Sequence, residues 1–104
     1  MIVTIFRSRL RPEAAAEYAE WATRISDLAK TMPGYISHKG FMADDGERVT
    51  VVEFEDEEAQ RNWSINAEHL HAKSKGRSTF YAEYKLQVCQ VVRESQFAAK
   101  VGEG

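Results

Sequence analysis

The chain has 104 residues, 43% of them apolar and 29% charged, which is the profile of one small globular domain rather than a disordered segment. Fourteen Lys+Arg against sixteen Asp+Glu give a formal charge of −2 without a clustered basic face, and this argues against a nucleic-acid or anionic-membrane partner. The single cysteine, Cys89, excludes an intrachain disulfide and a thiolate metal cage.

Met1 runs directly into a strand-like stretch without a basic and apolar leader, and no apolar run reaches membrane-spanning length, so a cytoplasmic protein is the simple reading. Ile2 to Leu10 alternates as a strand. Ile2, Thr4, Phe6 and Ser8 share one face, and Val3, Ile5, Arg7 and Arg9 share the other. Both faces begin apolar, so both are expected to be covered near the start. Pro12 suits the first position of a helix, and Glu13 and Glu17 favour its N-terminal turns. Tyr18, Trp21, Ala22, Ile25, Leu28, Ala29 and Met32 then recur at three- and four-residue steps, the stripe of a long amphipathic helix that Pro33-Gly34 ends.

Tyr35 to Met42 and Arg48 to Phe54 read as a hairpin around Asp45-Gly46, where glycine supplies a positive φ. Glu55 or Asp56 can cap the next helix, whose inner stripe holds Ala59, Trp63, Ala67 and Leu70. Ser64-Ile65-Asn66 is an interval where that helix is expected to break in two. Gly76 stops it. Thr79 to Arg93 lacks Gly and Pro and reads as one strand of about fifteen residues, against a usual five or six. Ser95 to Gly104 reads as a tail, which leaves one domain over residues 1–94 and a tail over 95–104.

The element order is β-α-β-β-α-β, an α+β, ferredoxin-like arrangement with a four-stranded antiparallel sheet and both helices on one face. The opposite face also carries apolar residues. Two copies packed sheet to sheet would cover it, forming a dimeric α/β barrel.

With that order in place, local stretches become familiar. Ile5-Phe-Arg-Ser-Arg-Leu-Arg-Pro12, Met32-Pro33-Gly34-Tyr35, the Asp-Gly hairpin, Phe54-Glu-Asp-Glu-Glu-Ala59 ending at Trp63, and Phe80-Tyr81-Ala-Glu-Tyr84 together resemble the antibiotic biosynthesis monooxygenase (ABM) domain, over residues 1 to about 94. The resemblance implies a homodimer and a small aromatic ligand, with the chemistry of either cofactor-independent oxygenases of quinols or haem-degrading oxygenases. Trp63 matches the pocket tryptophan of both branches. The haem branch expects an Asn late in the first strand and a His about ten residues after the Trp. Ser8 and Lys73 stand there instead, which counts against haem breakdown. The quinol branch has a Tyr six residues beyond the Trp, where this chain has His69.

Each candidate has a plain structural reading beside the functional one. Trp63 is either core packing or a pocket wall. His69 and His71 lie about 200° apart on a helix, so they cannot share one metal; they are solvated or capping histidines, or one is a general base toward a phenol. His38 is a satisfied sheet histidine or a ligand contact. Arg7 and Arg9 either form ion pairs with Glu53 or Glu83 or bind an anionic substrate. Tyr81 and Tyr84 are three apart and so point to opposite faces of a regular strand, which brings one of them to a cavity. Cys89 has no basic neighbour and reads as an inert thiol.

Catalytic roles are therefore expected of His69 and Trp63, with Tyr81, Tyr84, Arg9, His38 and Ser8 as substrate contacts. No metal or cofactor motif is expected. The activity expected is that of a monooxygenase on a small phenolic or quinol-type molecule. A non-catalytic, stress-related binding dimer is the alternative, with haem degradation third.

Overall fold

A computed structural model describes residues 1–73 and 80–100, with the helical backbone alone for 68–73. The elements are β1 (Ile2–Leu10), a 3-10 turn at Pro12–Ala14, α1 (Ala15–Thr31), β2 (Tyr35–Met42), β3 (Arg48–Phe54), α2 (Glu57–Lys73) and β4 (Tyr81–Gln90). The four strands form one antiparallel sheet in the order β2-β3-β1-β4. This is the ferredoxin-like α+β arrangement read from the element order.

Local chemistry explains the boundaries. Pro12 opens the 3-10 turn, where its lack of an N–H costs nothing. At the far end of α1, the Met32 N–H bonds to the Ala29 carbonyl and Gly34 takes φ +85°. Gly46, at φ +89°, makes the tight return between β2 and β3, helped by the Glu47 N–H bonding to Asp45 Oδ1. Asp56 caps α2, its Oδ1 accepting from the Ala59 N–H at 2.8 Å.

Two expectations are corrected. α2 continues unbroken through Ser64-Ile65-Asn66, with the Asn66 side chain bonding back to the Asn62 carbonyl. β4 is ten residues long and ends at Gln90. The reason lies in its neighbour: β4 is an edge strand with only β1 to pair with, and β1 begins at Ile2, the partner of Gln90. One further bond, from the Val91 N–H to the Met1 carbonyl, closes the ladder.

The apolar core is divided. One part gathers Ala14, Trp21, Phe80 and Tyr81, with Phe6, Leu10, Tyr18 and Ile25 packed on it. The other gathers Val52, Phe54 and Ala59, with Met32, Tyr35 and Trp63. Residues of both parts line a cavity between the sheet and the helices.

Candidate active site

The cavity measures about 460 Å³ and is walled mainly by aromatic and aliphatic side chains. Tyr18, Trp21 and Ile25 come from α1, whose apolar stripe faces the sheet. Phe6 and Val52 rise from the central strands, and Trp63 and Ala67 come from α2. Tyr84 and Leu86 stand on edge strand β4 and stay 42% and 46% exposed, so the cavity reaches solvent along that side. Among the described residues, no Lys, Arg, Asp or Glu lines it. A volume of this kind with few polar groups suits one small, largely apolar molecule.

Both tyrosines of β4 line the cavity, although their three-residue spacing on a regular strand separates them. A β-bulge is the cause. Arg9 pairs with Glu83 but Leu10 pairs with Tyr81, so Ala82 is an extra residue that resets the alternation. The Tyr81 and Tyr84 rings then lie 5.5 Å apart, and each lies 5.5 Å from Phe6. β2 repeats the device. Tyr35 pairs with Phe54 and Ser37 with Glu53, which leaves Ile36 as the extra residue. Tyr35 and His38 therefore share the helix-side face, and the Tyr35 hydroxyl lies 2.6 Å from His38 Nδ1.

Burial sets the phenols' chemistry. It pushes Tyr81 well above the usual tyrosine range, reinforced by neighbouring Tyr18, while a hydrogen bond from Trp21 pulls the other way. Tyr18 is also raised, chiefly by burial, against hydrogen bonding from Tyr81 and the charge of Arg48. Both remain neutral hydroxyls rather than bases. Trp63 is tilted against Phe54 with ring centres 5.5 Å apart. Its Nε1 atom is buried and has no hydrogen-bond partner among the described residues.

The structure thus brings Trp63, His38, Tyr81 and Tyr84 together. It does not bring Arg9 to them: Arg9 lies on the opposite sheet face, bonded to Asp45 at 2.7 Å and to Glu83 at 3.1 Å. Arg7 pairs with Glu47 at 2.9 Å rather than with Glu53, which bonds Ser37. Ser8 is buried but lines a separate polar cleft with Arg7, Glu47 and Lys85. The side chains of His69, His71 and Lys73 lie outside the described residues. Phe6, Tyr18, Trp21 and Tyr35 are cavity or second-layer residues that the sequence marks only as apolar positions of strand and helix. Their one available signal is the density of aromatic residues on faces that meet.

A four-stranded antiparallel sheet carrying two helices on one face, with a cavity under them, defines a small α+β domain of the ferredoxin-like class. The chain belongs to the antibiotic biosynthesis monooxygenase family, which matches residues 1–75. It is 33% identical over 90 residues to the uncharacterized protein YqjZ of Bacillus subtilis, an alignment covering 86% of this chain and 79% of that one. SnoaB, a cofactor-independent oxygenase from Streptomyces nogalater, has the same fold, with a TM-score of 0.72 at 16% identity over 89% of this chain and 94% of that one. MhuD, solved with manganese protoporphyrin IX, superimposes with a TM-score of 0.68 at 16% identity, over 93% of this chain and 100% of that one. At such identities these two likenesses are of fold alone.

Proposed function

We propose that this chain is a cofactor-independent monooxygenase of a small phenolic or quinol-type aromatic molecule, held in the cavity between sheet and helices. The observation that carries this reading is a cavity of about 460 Å³ walled by Phe6, Tyr18, Trp21, Trp63, Tyr81 and Tyr84 and, among the described residues, by no charged side chain. Such a lining suits a flat, largely apolar ring held by stacking and edge contacts.

An electron-rich ring that has lost a proton can react with O2 directly. With an anthrone, the ring methylene gives up two hydrogens and takes one oxygen atom, and the second oxygen atom leaves in water. The protein's part is to exclude water, hold the ring and take the proton. Trp63, Tyr81 and Tyr84 position the ring, and His69 on α2 is the base in this reading. Ser8 and Arg9 take no part. A second copy covers the outer sheet face, where Val3, Ile5, Val49 and Val51 lie together by register.

Oxygen uptake with anthrone tests the reading, comparing wild type with His69→Ala and Trp63→Phe. The expected result is consumption by wild type and a fall of at least about a hundredfold in His69→Ala, the usual worth of a positioned base. Equal rates in all three proteins would remove both residues from the mechanism. Saturable binding of anthrone in air without uptake would return the chain to a non-catalytic binding role.

A further inference from the structure

We propose that Tyr35 is a positioning residue that holds His38 as the Nε2–H tautomer, so that His38 serves the cavity as a hydrogen-bond donor to a ligand oxygen rather than as a proton acceptor. The inference deepens the proposed function, since it rests on the same cavity being the ligand site.

The argument begins with the 2.6 Å contact between the Tyr35 hydroxyl and His38 Nδ1. Either group could donate. A phenol is the stronger donor of the two, and an imidazole lone pair is the stronger acceptor, so the short bond is best satisfied with Tyr35 O–H donating to Nδ1. A neutral imidazole carries one proton, and with Nδ1 accepting, that proton sits on Nε2. His38 lines the cavity and has no other hydrogen-bond partner among the described residues, so Nε2–H is the group it offers there.

The dyad is held at its Tyr35 end. Tyr35 packs edge-on against the fully buried Phe54, with ring centres 6.3 Å apart. The bulge at Ile36 brings the two side chains to one face, which a regular strand would not do. His38 Nε2–H is then a neutral donor in a cavity that, among the described residues, has no lining cation. Such a donor suits a planar ring bearing a carbonyl or phenolate oxygen, and it does not favour a carboxylate or phosphate, which call for Arg or Lys. A donor at His38 also leaves the proton-accepting role to another group.

Two measurements on the full chain test this. Nitrogen NMR of the labelled, ligand-free protein reads the tautomer directly. A protonated Nε2 and a bare Nδ1 are expected in wild type, and a mixture in Tyr35→Phe, which keeps the ring contact with Phe54. Anthrone titrated under nitrogen reads binding without turnover. His38→Leu should bind about five- to tenfold more weakly, the net worth of one neutral hydrogen bond. His38→Gln keeps an N–H donor and should stay within about twofold of wild type. Tyr35→Phe should lose about twofold if the freed ring divides evenly between tautomers.

A protonated Nδ1 in wild type would overturn the proposal, as would His38→Leu binding anthrone as tightly as a wild type that binds it. Should wild type fail to bind anthrone at all, the phenolic reading of the cavity falls, and the tautomer measurement alone decides the role of Tyr35.

Discussion

Gly34 shows how narrowly a single position can be constrained. Its φ of +85° lies in the left-handed region, and a Cβ there would sit 2.6 Å from the Ala59 side chain. The close approach is how the turn after α1 docks on the start of α2, and the Gly34 carbonyl accepts from the Glu55 N–H at 2.8 Å. Gly34→Ala should therefore lower stability by about 2 kcal/mol or more, from left-handed strain and overpacking together. Urea unfolding checks it, with an unchanged midpoint counting against the packing account. That a glycine follows Pro33 was legible as a helix stop. That it touches Ala59 was not, because residues 34 and 59 meet only once β2 and β3 have paired. The same holds for Tyr35 and His38. Three residues apart on a strand they belong to opposite faces, and no local pattern announces the extra residue that reunites them.

Among the elements, helix ends were the most readable features and strand faces the least. The acidic run from Glu55 to Glu58 offers Glu55 or Asp56 as a cap, and the 2.8 Å bond from the Ala59 N–H selects Asp56. Asp56→Ala should cost about 1 kcal/mol, seen as a lower unfolding midpoint with an unchanged fold by circular dichroism. A larger loss would mean that α2 also carries the sheet contacts near Ala59, which is buried beside Phe54 and Val52. Strand faces in β1 followed simple alternation, and Ile2, Thr4 and Ser8 are indeed buried on one side. In β2 and β4 alternation fails at Ile36 and Ala82, since a bulge depends on how two strands pair rather than on either strand alone. The length of β4 was overestimated for a related reason: a run of apolar residues states what can be a strand, and the partner decides how much of it is.

Across the whole molecule, the radius of gyration is 15.5 Å, against about 13 Å for a compact domain of this length. The chain measures 49 × 33 × 23 Å along its axes. Leu86 and Val88 on β4 are 46% and 47% exposed, and beyond the sheet Val92 and Phe97 are 93% and 88% exposed. Apolar side chains on an edge strand and past its end, together with the apolar centre of the outer sheet face, are surface that a second copy would cover. Sedimentation at micromolar concentration should give twice the mass of the chain for wild type, and Val51→Glu on the outer face should shift it to the single-chain mass. A wild type that sediments as one chain would leave the outer face uncovered and refute the pairing.

The order of the elements, the caps, the turns and one face of β1 follow from the amino-acid sequence alone, because each depends on residues within a few positions of one another. So does the likeness to the antibiotic biosynthesis monooxygenase family, and with it the choice of Trp63. Folding in three dimensions decided which side chains share the cavity: it joined Tyr35 to His38, put both β4 tyrosines beside Phe6, and turned Arg9 away into ion pairs on the far face. Those outcomes depend on strand register. One inserted residue reverses every side chain beyond it, and register is settled by the partner strand.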